Sequence, residues 1–483
     1  MERKEKMNLD LTASLRQHFG FTAFRPGQEA TLTRILNGQD TLAILPTGAG
    51  KSLLYQLPAY HLTGTILVIS PLIALMQDQA DRIARQGDYR AVVLNSTVEM
   101  HDQAALLETL GDYRFIFTSP ETLARGPVLG ALRQLKIALF VVDEAHCISE
   151  WGPNFRPEYL TLKNARQALK PGVTLLLTAT APPQIARDIL TKMAMAPEQV
   201  ATVRQSVNRA NLFLAVHPVA DPLAKQHYLQ ALLPRLGGPG VIYFSSRKQA
   251  TMMANWLEQT TSLQVAAYHA GLEPVVRYRL QTQFMQNQVD VICATSAFGM
   301  GIDKNDIRYV IHYHIPAGLA AYTQEIGRAG RDGQPALALL LYAPGDESLP
   351  ELLSQTELPA PAVLEEVMAG RVAPTVLGPK ADVINFYLHH GVTPQQLQQL
   401  MAQQSRLAQQ RINEMLGYVM TTACRRQYLL HAFGEKPIEQ ALCCDRHQSN
   451  WQPQELGLGA VKTFATVERS YNWRQQLAHF FAC

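Results

Sequence analysis

Four places in the sequence carry residue types whose spacing could do chemistry. Pro46–Ser52 reads PTGAGKS. Gly48 and Gly50 let the backbone N–H groups of Thr47, Gly48, Ala49, Gly50, Lys51 and Ser52 face a phosphate with no Cβ in the way, so these six are candidate ATP-binding residues. Lys51 can reach the β and γ phosphates, and Ser52 can ligate Mg²⁺. The longer phosphate-loop spacing has a glycine where this chain has Leu45, and the remaining GxGKS also fits an ordinary glycine turn before a helix. Further on, ALFVVDEAH sets Asp143 and Glu144 after an apolar run. Asp143 suits Mg²⁺, a hard ion that takes few protein carboxylates beside phosphate oxygens, and Glu144 suits a general base that polarises the attacking water. The competing reading is a strand that merely ends in a solvated acidic loop. Trp151, Phe155 and Arg156 follow at once in WGPNFRPEY. Aromatics that stack on bases and a cation that follows phosphates would sense single-stranded nucleic acid beside the hydrolytic carboxylate, against packing of the loop onto its own domain. The fourth place is a group of cysteines, Cys424, Cys443 and Cys444, which in a reducing compartment points to a metal before a disulfide.

These residues need elements to position them. Short apolar runs rich in β-branched residues recur as TLAIL, TILVIS, RAVVL, RFIFT, ALFVVD and VTLLLT, separated by amphipathic stretches such as LIALMQDQADRIARQ. That alternation is the pattern of buried parallel strands with crossover helices. A second series, GVIYF, LQVAAYH, DVICA, YVIHY and ALALLLY, begins after the polar stretch 204–211. The fold class is therefore α/β, with two domains in tandem. Beyond Pro344 the strands stop. INEMLGYVMTTACRRQYLL has helical periodicity, and the Gln-rich PQQLQQLMAQQSRLAQQR before it reads as a solvated helix face. Cys147 and Cys293 lie in or beside buried strands and read as small apolar residues.

Composition sets outer limits. The 483 residues are 47% hydrophobic and 17% charged, enough for several cores. A net charge of +3 is too mild to argue for a polyanionic partner by itself. No apolar run approaches the roughly 18 residues of a membrane span, and the charged start MERKEKMNLD lacks a signal-peptide core. No membrane association and a cytoplasmic location, nucleoid-associated if bacterial, are the expectation.

PTGAGKS, DEAH, LTATA (Leu177–Ala181) and QEIGRAGRDG (Gln324–Gly333), in this order, resemble a superfamily 2 helicase. FGFTAFRPGQ (Phe19–Gln28), DEAHCISEWG and ATSAFGMGIDK (Ala294–Lys304) make the chain similar to the RecQ family of DNA helicases. The resemblance implies RecA-like domains at residues 1–206 and 207–345, a helical and zinc-binding region at 346–448, and a tail at 449–483. It implies that Phe21, Arg25 and Gln28 hold the adenine, and that Gln324, Arg328 and Arg331 face the γ phosphate from the second domain as arginine fingers. The loop holding Trp151 and Phe155 matches the family's aromatic-rich loop, which couples DNA binding to hydrolysis. Here Glu150, Pro153 and Asn154 stand where many members have Gln, His and Asp, a change that would weaken or retune that coupling. Ser70, Gln77, Ser119, Ser245 and Arg247, in SPLIALMQDQ, TSPETL and FSSR, are further expected DNA contacts, and the segment 297–303 should link both ligands. CRRQYLLHAFGE resembles the family's zinc segment, with Cys424, Cys443, Cys444 and His447 as the ligand set. Adjacent cysteines depart from the family spacing, which leaves His431, Asp445 or no site as alternatives.

Taken together, the resemblance implies an ATP- and Mg²⁺-dependent 3′–5′ DNA helicase or translocase acting in repair or recombination, with Zn²⁺ as a structural cofactor and single-stranded DNA and junctions as partners. An RNA helicase and an ATP-gated clamp with little unwinding are the rivals. The stretch after His447 is too short for the winged-helix and further helical domains of many members. Its aromatics, Trp451, Phe464, Tyr471, Trp473, Phe480 and Phe481, should dock on the helical domain or on a protein partner.

Overall fold

The computed structural model describes residues 10–459 apart from 72, 86, 88–89, 96–99, 151–155, 300–303, 355–358, 439 and 441–442. Trp151, Phe155, most of the 297–303 segment, Cys483 and the tail aromatics from Phe464 onward therefore lie outside the described residues.

The first apolar series forms a seven-stranded sheet. Its strands are β1 (Thr41–Ile44), β2 (Thr65–Ile69), β3 (Ala91–Leu94), β4 (Phe115–Thr118), β5 (Ile137–Val142), β6 (Val173–Thr178) and β7 (Ala201–Arg204), in the order β3-β4-β2-β5-β6-β1-β7. The second series forms a six-stranded sheet of β8 (Leu212–Pro218), β9 (Gly240–Tyr243), β10 (Val265–Tyr268), β11 (Val291–Ala294), β12 (Tyr309–His312) and β13 (Ala336–Tyr342), in the order β10-β11-β9-β12-β13-β8. All neighbouring strands are parallel. Helices cover both faces, so β5 and β6 are buried at every position, as their unbroken apolar runs require. The expected runs omit β7 and β8, the edge strands flanking the linker 205–211. β7 hides from a search for apolar runs because its residues alternate between buried and outward-facing.

The C-terminal region is helical. The Gln-rich stretch and the apolar repeat after it form one helix, Pro394–Met420. It starts at a capping box in which Thr393 Oγ1 accepts from the Gln396 N–H at 3.2 Å and Gln396 Oε1 accepts from the Thr393 N–H at 2.9 Å. Leu397 and Met401 pack against Leu364, Ile384 and Tyr387 in a small core of their own. Met415, Tyr418 and Val419, about four turns further on, join the core of the second sheet, where the Tyr418 and Tyr322 hydroxyls are 3.2 Å apart. One helix thus fastens the helical region to the second sheet.

Trp451 corrects the expectation for the tail. Its indole packs on Phe213 of β8, ring centroids 5.7 Å apart, and Leu456 and Leu458 join the same apolar face. The described part of the tail docks on the second α/β domain, because that is where an apolar sheet face needs cover.

Candidate active site and metal centre

Both carboxylates sit at the carboxyl edge of the first sheet, where open α/β sheets bind ligands. Pairing continues past the end of β5: the Asp143 N–H donates to Ile69 O at 2.8 Å and the Ala145 N–H to Leu177 O at 2.7 Å. Asp143 and Glu144 are thereby pinned between β2 and β6. Glu144 has φ +50°, a left-handed conformation that costs a side-chain-bearing residue about 1–3 kcal/mol. Its carboxylate lies 3.3 Å from His146 Nδ1, which is 3.1 Å from Thr178 Oγ1. The two acids differ. Burial and then the charge of Glu144 push Asp143 up, whereas on Glu144 burial is outweighed by the His146 contact and the charge of Lys51, which hold it below the usual carboxylate range. A buried carboxylate raised by a neighbouring acid gains most from a divalent cation, so Asp143 fits Mg²⁺.

The phosphate loop lies beside them. Gly48 and Gly50 adopt φ +81° and +69°, which explains the glycines. Leu45, at the position of the missing glycine, is fully buried and extends β1, its N–H donating to Thr178 O at 3.0 Å. Lys51 Nζ donates to Leu45 O at 3.4 Å, a weak contact that a phosphate can displace. The residues expected to hold adenine divide. Phe21 is 58% exposed and available for stacking. Gln28 grips the loop: Nε2 donates to Ala49 O and Gly50 O at 2.8 and 3.2 Å, and Oε1 accepts from the Arg25 N–H at 2.8 Å. Arg25 Nη1 donates to Gly48 O.

The second domain closes over this loop. Thr47 Oγ1 donates to Gly327 O at 3.0 Å. The Arg331 side chain runs so close to Gly48 that a Cβ there would lie 3.3 Å from Arg331 Cδ. Arg328 is buried, and its Nη1 donates to Gly299 O. Gln324 shares a crevice with Thr47, Thr180 and Gly327. Lys51, Glu144, Gln324, Arg328 and Arg331 are therefore brought together from two domains around the phosphate loop.

The residues expected to contact nucleic acid divide by exposure. Gln77, Ser245 and Arg247 are exposed. Ser119 is buried and caps the helix Pro120–Leu123, accepting from the Thr122 N–H at 3.2 Å, and Ser70 is buried at the end of β2. Arg156 is turned inward. Its Nη2 donates to Glu121 Oε2 at 2.7 Å and its Nη1 to Pro71 O at 2.5 Å, so it braces the TSPETL and SPLIALMQDQ loops where the sequence had suggested a phosphate contact.

Cys424, Cys443, Cys444 and His447 form one cluster whose ligand atoms all lie within 4.8 Å of one another. The Cys424 and Cys443 sulfurs are 3.4 Å apart, those of Cys424 and Cys444 3.9 Å, and Cys444 Sγ is 3.3 Å from His447 Nδ1. Tetrahedral zinc with Zn–S bonds near 2.3 Å needs sulfurs about 3.8 Å apart, so the S₃N set fits Zn²⁺. Asp445 is otherwise engaged, accepting from Arg425 Nε at 2.6 Å and the Val216 N–H at 3.1 Å, and His431 is not part of the cluster.

Family profiles match three successive parts of the chain: DEAD/DEAH box helicase over residues 25–189, helicase conserved C-terminal domain over 224–333, and RecQ zinc-binding over 392–448. The probable ATP-dependent DNA helicase RecS of Bacillus subtilis is 46% identical over 347 residues, 72% of this chain and 70% of that protein. The chain belongs to the RecQ family. The ATP-dependent DNA helicase RecQ of Haemophilus influenzae is 36% identical over 386 residues, 79% of this chain and 61% of that RecQ protein. The fold extends to distant helicases: the DEAD-box helicase Mss116 bound to ssRNA and UDP-BeF superposes with a TM-score of 0.58 at 16% identity, over 89% of this chain and 96% of that one.

In this RecQ chain the sequence signals missed His146, Arg209, Arg425, Arg426 and Glu435. Arg425 and Arg426 are buried at the start of the zinc-module helix Arg425–Ala432, and no spacing rule marks a buried arginine. Removing zinc with a chelator, or making Cys444→Ser, should lower the apparent Tm by roughly 5–10 °C and expose the 421–448 region to protease. Differential scanning calorimetry with metal analysis checks this, and an unchanged Tm with full loss of zinc would refute a structural metal.

Proposed function

We propose that the chain is an ATP- and Mg²⁺-driven motor that moves 3′ to 5′ along single-stranded DNA and separates duplex ahead of it, in DNA repair or recombination. The observation that carries the reading is the junction at the phosphate loop, where Thr47 bonds Gly327 and Arg331 lies over Gly48. Lys51 binds the β and γ phosphates; Ser52 and Asp143 would hold a Mg²⁺, which would supply charge to neutralise the phosphates. Glu144 takes the proton of the attacking water, and Arg328 and Arg331 offset charge on the transferring phosphoryl group. The phosphate ligands come from both domains, so bound ATP draws the domains together and hydrolysis releases them. Gln77 on one domain and Ser245 and Arg247 on the other lie exposed to a strand, so the cycle changes the spacing between two strand grips. A duplex with a 3′ single-stranded DNA tail should be unwound, and duplexes with a 5′ DNA tail or a 3′ RNA tail should not. Equal unwinding of both DNA tails would refute the direction, and preference for the RNA tail would favour the RNA-helicase reading.

A further inference from the structure

The linker 205–211 joins the two α/β domains, and the zinc module holds it residue by residue. The Gln205 N–H ties its start to β1 through Ile44 O at 2.9 Å. From there, Glu435 accepts from the Ser206 hydroxyl and, at 2.9 Å, from the Val207 N–H. Arg426 Nη1 donates to Asn208 Oδ1 at 2.7 Å and Arg209 O at 3.0 Å, and its Nη2 to Leu212 O. Gln440 accepts from Asn208 Nδ2 and donates to Ala210 O, both at 3.1 Å.

Two of the linker's side chains, Arg209 and Asn211, point the other way, into the arginine-bearing turn. Arg209 donates to Gly327 O at 3.1 Å, Ala329 O at 3.3 Å and Gly330 O at 2.7 Å, so one planar guanidinium holds three carbonyls of that turn. Asn211 Nδ2 donates to Gly330 O and Gln334 O at 2.8 and 2.6 Å. Gly327 O is also the acceptor for Thr47 of the phosphate loop. An unbroken chain of hydrogen bonds therefore runs from the zinc module through the linker to the turn that carries Arg328 and Arg331.

We propose that Glu435 and Arg426 are positioning residues for ATP hydrolysis: they fix the linker, the linker fixes Arg209, and Arg209 fixes the 327–330 turn against the phosphate loop. The inference rests on the reading of Arg328 and Arg331 as γ-phosphate ligands. A displacement of about 1 Å in such a group is enough to cost an order of magnitude or more in rate. In Glu435→Ala the module stays attached to β8 through the Leu214 N–H to Cys443 O and Asp445 N–H to Leu214 O bonds and through Arg426 to Leu212 O, while the linker loses two of its acceptor contacts.

The test measures ATP hydrolysis at saturating single-stranded DNA, per mole of protein that binds a non-hydrolysable ATP analogue, so that misfolded protein does not count. Glu435→Ala and Arg209→Ala should each lower kcat about 10-fold, with the ATP KM and the DNA Kd close to wild type. The double variant should be no slower than the slower single one, since both act on one chain of contacts. Glu435→Gln, which keeps one acceptor oxygen, should fall between. A wild-type kcat in Glu435→Ala, a rate loss that disappears on normalising to bound analogue, or losses that multiply in the double variant would each overturn the proposal. A wild-type protein that hydrolyses no ATP would overturn the motor reading instead.

Discussion

Glu144→Gln should lower the DNA-stimulated kcat by about 10²–10⁴-fold while ATP still binds with near wild-type affinity. Glutamine has the same shape and keeps one acceptor oxygen, so the loop between β5 and its helix need not move. What it loses is the charge that takes a proton from water. In the folded protein the His146 contact at 3.3 Å and the charge of Lys51 keep the Glu144 carboxylate ionised despite burial, so the base is in its working form at neutral pH. Steady-state hydrolysis beside binding of a fluorescent ATP analogue separates the two quantities. A variant that loses binding and rate together would assign Glu144 to holding the nucleotide and take away its role as base.

Arg331→Ala should reduce kcat by about 10³-fold, the lower end of the range for an arginine finger. Arg331 is the cleaner probe of the pair. Arg328 is buried and bonds Gly299 O, so its removal would also release the Gly299 backbone. Arg331 runs along Gly48 of the opposite domain, so its loss removes positive charge from beside the phosphate loop. Arg331→Lys should recover little, because a single ammonium cannot match the planar fork. Single-turnover hydrolysis with bound DNA checks this, and a loss under 10-fold would remove Arg331 from the γ-phosphate site.

The candidate nucleotide site was legible because its chemistry is local. GxGKS and DE each need residues within a few positions of one another at the end of a strand, so spacing marks Lys51, Asp143 and Glu144 as candidates, and folding sets the loop and the acidic pair at one sheet edge. The zinc ligands were legible because four soft or imidazole donors crowd one short region, although only the folded chain excludes Asp445 and His431. What spacing could not give was partners distant in sequence. Arg156 looked like a phosphate ligand until folding brought Glu121 beside it. The Gln28 amide also holds the Ala49 and Gly50 carbonyls, a contact that no spacing announces. Arg209, Arg426 and Glu435 had no motif at all, since their meaning lies in carbonyls and hydroxyls of other segments. The edge strand β7 escaped because its buried and outward-facing residues alternate, so no apolar run marks it.

The most direct test of a two-domain motor is ATP hydrolysis with and without single-stranded DNA, run beside separation of a forked duplex by the same protein. The predicted result is hydrolysis strongly stimulated by DNA, strand separation that requires ATP, and loss of both in Glu144→Gln. Hydrolysis indifferent to DNA, or strand separation that survives in Glu144→Gln, would contradict it.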